Sequence, residues 1–467
     1  MDVLHSTPES LNSSLKEGKI TVAVYGLGHV GLSIATVWLR AGAKVIGVDV
    51  REDVVRSIGA GVSPIKDEPG IPEAISESVA EGKLRTTLDG VKASRESDVK
   101  IIAVPTTLSK EKNCDIAALK QVLQVIARGL KKGDLVIIES SVPPTTTIKV
   151  AQPILEMGSR LRVEEDFGLA FSPERVFEGR AIEDIERRYP KVVGGIGSKS
   201  TEAGAALYGV IAKQGVIKTS SSTVAETEKL FEGIYRDVNI ALANELTRFC
   251  TSVGIDFIEV RKIANSQPFC YLHYPGFVGG WCIPFYPYFV LQVAQDKNEE
   301  LPLTSLARKV NEDKPELLIR VADSTLREVR GKGLKNSKVT ILGLAFRGDI
   351  ADTRNSPSYE VIELLLKKGV GAITAYDPYV SEDLSLGDKK IRLAHSTSEA
   401  ARDAELLIIM TEHSAFKDSL TAGEVLKTAA AHAILIDARN ILPINISDAA
   451  MEGLILRQVE GFNIFIK

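Results

Sequence analysis

The chain has 467 residues, 44% hydrophobic and 25% charged, the balance of a soluble globular protein long enough for two or three domains. A formal net charge of −4, with no local block of basic residues, gives no electrostatic case for a nucleic-acid partner. Four cysteines without a CxxC pair and six scattered histidines offer neither metal-ligand spacing nor a disulfide framework; reduced thiols, a cytoplasmic setting and no metal are the expectation.

Residues 1–18 are polar and lack the apolar core of a signal peptide, so a frayed, disordered tail is expected there. The stretch from Ile20 to Leu39 is the most apolar long one. Its three glycines, His29, Ser33 and Thr36 make it a strand, turn and helix and not a membrane span. Thr21 to Tyr25 is a β-branched run suited to a buried parallel strand. Gly26-Leu27-Gly28-His29-Val30-Gly31 follows, then an apolar helix and a second strand, Ala43 to Val48, ending on Asp49. This βαβ unit of about 30 residues has the form of a dinucleotide-binding fingerprint. Gly26 permits the tight turn, Gly28 lets a pyrophosphate approach the backbone, and Gly31 lets the helix pack on the sheet. The helix start at His29 and Val30 offers N–H groups and a positive dipole end to that pyrophosphate. Asp49 falls 18 residues after Gly31, placed to accept the ribose hydroxyls and to repel a 2′-phosphate. NAD is therefore favoured over NADP, with Arg51 nearby opposing that choice.

Further strands are expected at Val99–Val104, Leu135–Glu139, Phe167–Phe171 and Lys191–Gly194, alternating with helices in a doubly wound parallel sheet. Ligands bind beyond the carboxyl ends of such strands, which here carry Thr106, Ser141 and the run Ser172-Pro173-Glu174-Arg175. Short hydroxyls after strands also cap the next helix, an alternative left open for each of them. From about Thr219 the pattern turns helical: Val224–Val253, then Leu303–Val329 interrupted by Pro315. Helices of this length in a middle segment suit a bridge between two sheet domains, and a leftover apolar face suits a homodimer interface. Between them lies Tyr274-Pro275-Gly276-Phe277-Val278-Gly279-Gly280-Trp281-Cys282-Ile283-Pro284, a glycine-rich turn that can present the Cys282 thiol as a nucleophile. After Gly333 a second α/β pattern opens, with strands at Val339–Leu344, Ala372–Tyr376, Leu406–Met410 and Ala433–Asp437.

With these pieces placed, the chain resembles the UDP-glucose/GDP-mannose dehydrogenase family over nearly its whole length, and within it the UDP-N-acetylhexosamine 6-dehydrogenases. The matching stretches are Gly26 to Gly31, Ser63 to Gly70, Ser172 to Val176, Lys229 through Asn239, the Cys282 loop, and Gly343 to Pro357. The resemblance implies an α/β fold of two Rossmann-like doubly wound domains joined by a central helical domain. The implied division is 19–218 for NAD, 219–330 for the dimerising middle with the thiol loop, and 331–467 for the nucleotide sugar. It also implies a four-electron oxidation of a nucleotide sugar's C6 alcohol to a carboxylate, with two NAD reduced, through a thiohemiacetal and a thioester on Cys282. Lys229 would stabilise the oxyanion, and Glu174 would steer the hydrolytic water. Arg354 would stand at the cofactor. Arg175, Arg236, Asn239, Tyr274, Gly276, Gly279 and Arg347 would bind the nucleotide sugar.

The sequence also departs from the family's pattern. Gly233 replaces an asparagine that shares the oxyanion role, and Tyr286 replaces an aspartate that helps activate water. Trp281 precedes the nucleophile where a histidine or small residue is usual. Gln267-Pro268-Phe269 stands where a His-Pro-Arg segment supplies an arginine, and Thr145 stands where a glycine follows paired prolines. The sugar itself stays open, with a UDP-glucose-type 6-dehydrogenase as the alternative, and these changes leave a second reading, a nucleotide-sugar-binding homologue with little turnover. A two-electron hydroxyacid dehydrogenase is a third, opposed by the thiol loop and the second α/β domain.

Overall fold

A computed structural model of the protein describes residues 1–65, 68–389, 391–417, 422–442 and 453–467. The chain forms two compact units, Met1–Glu232 with Tyr288–Glu300, and Gly233–Pro287 with Leu301–Lys467. The middle segment expected from 219 to 330 is shared between them. Both units are α/β and are built on sheets in which parallel pairs predominate.

The first unit holds strands β1 (Thr21–Tyr25), β2 (Lys44–Val48), β3 (Leu84–Thr87) and β4 (Val99–Ile102). The short pair β5 (Thr107–Leu108) and β6 (Cys114–Asp115) follows, then β7 (Leu135–Ile138), β8 (Gly168–Phe171), β9 (Lys191–Gly195) and β10 (Val216–Lys218). The large sheet runs β10-β9-β8-β7-β4-β1-β2-β3. Successive side chains of a strand point to opposite faces, so Val22 and Val24 enter one core while Ala23 and Tyr25 enter the other. Both faces are covered, and for that reason these strands read as unbroken apolar runs.

Two expectations for this unit need correction. The N-terminus is no tail: Pro8–Lys16 is a helix capped by Thr7, and Val3, Leu11 and Leu15 are fully buried in the core. The signal was present in Thr7-Pro8, a capping hydroxyl followed by proline at the first helical position, with two leucines four residues apart. The sheet is also not wholly parallel. β9 runs antiparallel to β8, with Phe171 opposite Gly194, and β10 then runs parallel to β9. A parallel return requires a crossover, usually a long helix. Residues 172–190 hold only the three-residue helix Ala181–Glu183 and a π-helical turn at Asp184–Arg188, so the chain doubles back.

The second unit carries β11 (Lys338–Leu342), β12 (Ala372–Tyr376), β13 (Arg392–Leu393), β14 (Leu406–Ile409), β15 (Ile434–Asp437), β16 (Ile455–Val459) and β17 (Phe462–Ile466). Their order is β13-β12-β11-β14-β15-β17-β16, parallel except for the closing pairs β15–β17 and β17–β16. The same alternation sorts Ile408 and Ile436 into one core and Leu407 and Leu435 into the other. The expected helical stretch after Leu303 is two helices, Pro302–Glu312 and Lys314–Arg330. Pro315 sits in the first turn of the second, where its missing N–H costs nothing. The helix Ser222–Ser252 runs 31 residues without a break and passes from one unit into the other. Among the described residues no helix is long and apolar enough to cross a membrane.

Candidate active site

In the first unit the glycine turn has the shape that the fingerprint demands. Gly26 lies at φ 93°, and a Cβ there would stand 2.4 Å from the Ala103 carbonyl oxygen. A Cβ on Gly31 would fall 1.8 Å from the Gly26 oxygen, so no side chain can occupy either position. Gly28 precedes the helix His29–Arg40 and faces open space, and no side chain caps that helix. The helix start is thus a cradle for an anion, with Val30 exposed at its rim. Asp49 ends β2 and is oriented by two backbone donors, Leu27 N–H to Oδ2 at 2.8 Å and Arg51 N–H to Oδ1 at 2.9 Å. The Arg51 guanidinium, the one group here suited to a 2′-phosphate, is paired with Asp53. Thr106 donates to the Ser141 carbonyl at 2.7 Å, and Ser140 bridges both backbone groups of Val104, so the loops after β4 and β7 are fastened together.

The loop after β8 brings Glu174 to a buried position, where Oε2 accepts from Lys191 Nζ at 2.7 Å and Oε1 from the Arg175 N–H at 2.8 Å. Burial alone would raise the Glu174 carboxyl; the Lys191 ammonium outweighs it and holds the group below its ordinary value. Lys229 is buried on the long helix, one turn beyond Glu226. The Glu226 carboxylate accepts from Thr145 N–H at 2.6 Å and from Thr147 N–H and Oγ1 at 2.7 and 2.6 Å. Thr145 holds φ 76°, the left-handed conformation that suits the family's glycine, and the Glu226 contact secures it. Arg175, expected at the substrate, has its guanidinium engaged within the unit by Glu228, Glu232 and the Pro190 carbonyl.

In the second unit Cys282 is exposed, and its carbonyl accepts from Phe285 and Tyr286 N–H to start the next helix. The turn before it is fixed at both ends. Gly276 exchanges two hydrogen bonds with the Asn244 amide, at 2.8 and 2.9 Å. Gly280 donates to the Asn355 carbonyl, and the Asn355 amide donates back to the Gly280 carbonyl at 2.9 Å. Gly280 takes φ 77°, and a Cβ on Gly279 would meet Pro357 at 2.6 Å, so the paired glycines let the turn lie against the loop that follows β11. Behind Asn244, a buried chain runs to Asn311 at 3.0 Å, on to Asp237 at 2.8 Å, and from Asp237 to Arg308 at 2.8 Å.

Arg354 is held by Asp352 and stacks over the Trp281 ring, which in turn stacks on Phe285. Trp281 and Phe285 thereby act as packing for the thiol turn. Tyr274 is exposed with the Arg261 guanidinium 3.6 Å above its ring, while Arg236 and Arg347 are half-buried. Asn239 turns its amide to the Tyr235 carbonyl on its own helix. Of the expected site residues, this unit joins Gly276, Gly279 and Cys282 in one supported turn, with Arg354 stacked on Trp281 beside the thiol. The first unit holds Glu174, Arg175 and Lys229. Sequence reading gave no role to Asn244, Asn311 or Arg439, whose guanidinium donates to the Phe277 carbonyl. The Asp437-x-Arg439-Asn440 run after β15 was the available signal.

The NAD-binding domain model of the UDP-glucose/GDP-mannose dehydrogenase family matches residues 20–212, its central domain 223–313, and its UDP-binding domain 340–444. The fold and these domains are those of an NAD-dependent nucleotide-sugar dehydrogenase, an oxidoreductase. The UDP-N-acetyl-D-mannosamine dehydrogenase of Pyrococcus horikoshii is 36% identical over 423 residues, 90% of this chain and 96% of that protein. The chain belongs to the UDP-glucose/GDP-mannose dehydrogenase family. Among solved structures, UDP-D-ManNAc dehydrogenase from Pyrococcus horikoshii matches with a TM-score of 0.83 and 34% identity, covering 91% of this chain and 97% of that one. The NDP-N-acetyl-D-galactosaminuronic acid dehydrogenase from Methanosarcina mazei Go1 matches with 0.79 and 32%, covering 96% of each.

Proposed function

We propose that the protein oxidises the C6 alcohol of a UDP-N-acetylhexosamine, UDP-N-acetylmannosamine or UDP-N-acetylgalactosamine, to the uronic acid through a covalent bond to Cys282. The observation that carries this reading is an exposed thiol on a turn secured at both ends, by Asn244 and by Asn355. Such a thiol can meet a substrate carbon with little reorganisation. Relatives named UDP-N-acetyl-D-mannosamine dehydrogenase and NDP-N-acetyl-D-galactosaminuronic acid dehydrogenase support the substrate class.

Gly26, Gly28, Gly31 and Asp49 would hold NAD, which would supply the hydride acceptor for each of two oxidations; the fit rests on the open space at Gly28 and on the Asp49 carboxylate oriented by the Leu27 N–H. After the first oxidation the Cys282 sulfur adds to the C6 aldehyde, which retains this reactive group in the site. The second oxidation leaves a thioester. Lys229 stabilises negative charge on the C6 oxygen, and the Glu174 carboxylate orients the water that cleaves the C–S bond. Arg354 serves the cofactor. Arg175, Arg236, Asn239, Tyr274, Gly276, Gly279 and Arg347 are assigned to the nucleotide sugar. Tyr235, Leu242, Phe249 and Val253 form an exposed apolar stripe at helical spacing, which we assign to a homodimer interface.

The test is NADH formed per sugar consumed. Two NADH per sugar from one of the two UDP-N-acetylhexosamines, lost or cut in Cys282→Ala, is the expected result. Tight binding of NAD and sugar without NADH would favour the homologue with little turnover, a reading that Gly233 and Tyr286 support.

A further inference from the structure

The reversal of β9 has a chemical consequence. Carried past the strand end, the antiparallel register that pairs Phe171 with Gly194 sets Glu174 opposite Lys191. The Lys191 ammonium lies 2.7 Å from Glu174 Oε2 and 2.7 Å from Glu139 Oε2, and the Tyr208 hydroxyl donates to Glu139 Oε1. Glu139 directly follows β7, Tyr208 comes from the helix Ser198–Ile211, and all four side chains are buried. A core that needs only packing is served as well by apolar residues, because an ion pair taken out of water repays its desolvation only with full pairing. Here one cation faces two carboxylates.

That stoichiometry leaves one carboxyl to carry a proton near neutrality. Burial pushes Glu139 up to about 7, with Lys191 opposing and Glu174 reinforcing the shift, whereas Glu174 is held below its ordinary value. The proton therefore resides on Glu139. Burial also raises the Tyr208 phenol well above its ordinary value, so its hydroxyl stays protonated; it can donate to an ionised Glu139 or accept from a neutral one. When Glu139 is neutral, Lys191 acts on Glu174 alone and weakens it as a base. When Glu139 ionises, the same ammonium is divided, and Glu174 becomes more basic.

We propose that Lys191, Glu139 and Tyr208 are positioning residues that fix the Glu174 carboxylate and set its basicity, and so govern the hydrolytic half of the reaction and not sugar binding. The inference rests on the reading of Glu174 given above. In that step the water oxygen bonds to the thioester carbon and the C–S bond breaks. Its electron pair leaves on the Cys282 sulfur, Glu174 takes up one water proton, and the thiolate regains a proton from solvent; no redox change occurs.

The experiment follows thioester hydrolysis by rapid mixing and by the mass of the Cys282 adduct, between about pH 6 and pH 9. It uses whichever UDP-N-acetylhexosamine is turned over, in wild type, Lys191→Met, Lys191→Arg, Glu139→Gln, Tyr208→Phe and Glu174→Gln. Lys191→Met is expected to slow hydrolysis about 100-fold, the scale of a misplaced reacting group. The adduct then accumulates while the sugar KM stays within about threefold, and Lys191→Arg recovers most of the rate. Glu139→Gln is expected to abolish the rise in hydrolysis rate across neutral pH. If Lys191→Met does not fold, Glu139→Gln and Tyr208→Phe, which keep size and shape, carry the test. Slow hydrolysis in Glu174→Gln with wild-type rates and pH profiles in the other variants would overturn the relay alone. Wild-type hydrolysis in Glu174→Gln would remove both the relay and the role of Glu174.

Discussion

The ring of Tyr286 occupies the space that a side chain on residue 233 would need. A Cβ built on Gly233 would stand 2.4 Å from Tyr286 Cδ2, and Tyr286 is itself buried. The departures from the family pattern at 233 and 286 are therefore one exchange: a small helix residue accommodates a large ring. Gly→Ala inside a helix ordinarily stabilises by about 1 kcal/mol. Here Gly233→Ala is expected to destabilise by about 1–3 kcal/mol, the usual cost of overpacking. In a Tyr286→Ala background the sign reverts. Denaturant unfolding of the four proteins in this cycle checks it, and an additive result would separate the two positions.

Reverting the pair together tests its chemical side. Gly233→Asn with Tyr286→Asp restores the polar groups that the family pattern places there, without the collision. Thioester hydrolysis is expected to quicken in the double variant, and Gly233→Asn alone is expected to lose both stability and rate. The mass of the Cys282 adduct in a single turnover follows hydrolysis, and denaturant unfolding follows stability.

Asp49 is expected to govern cofactor choice. Its carboxylate is oriented by the Leu27 and Arg51 N–H groups, and the Arg51 side chain is paired with Asp53. Asp49→Ser is expected to lose a charge-assisted hydrogen bond of about 1.5–3 kcal/mol, raising the NAD KM roughly tenfold or more. Without the carboxylate's repulsion, Arg51 can turn to a 2′-phosphate, and the kcat/KM ratio of NADP to NAD should rise. Steady-state kinetics with both nucleotides decide it.

Much of this was legible because it is local. The glycine turn announces itself by spacing, and a Cβ on Gly31 meets the Gly26 carbonyl within one supersecondary unit. The thiol turn was legible as a run of Gly and Pro around one cysteine. What could not be read is set by tertiary register. Lys191 looks like the solvated first residue of a strand until β9 turns antiparallel and sets it opposite Glu174. Asn244 and Asn311, 67 residues apart, look like ordinary helix polars until they meet behind Gly276. Tyr286 reads as a damaging change, and Gly233 as another, because only the fold shows that they touch.

Glu226 gives the stability a pH signature. Burial pushes its carboxyl from an ordinary 4.5 up to about 7, and the Thr145 and Thr147 donors only partly oppose this. The folded state therefore holds a proton that the unfolded chain has released, and folding favours the protonated form. The resulting stabilisation is full below about 4.5 and is lost as pH rises through about 7. Glu226→Gln removes this contribution, so the fall in stability across that window should flatten. Urea unfolding at several pH values measures it; an unchanged slope would show that Glu226 does not titrate there.

The stripe on the long helix makes the last prediction. Tyr235, Leu242 and Phe249 are spaced by seven residues, the repeat that keeps side chains on one helical face, and Val253 follows four residues on, in the turn after the helix. Their relative exposures are 53, 42, 60 and 53%, and apolar faces of this kind are normally covered in an assembly. A partner that presents the same helix would cover it by twofold symmetry, each stripe against its copy. Phe249→Asp brings two like charges into such an interface and is expected to convert the dimer to monomer, whereas Phe249→Leu should retain it. Light scattering on the eluting protein reads the mass directly. A monomer in the wild type, or a dimer that survives both Leu242→Asp and Phe249→Asp, would remove the stripe as the interface.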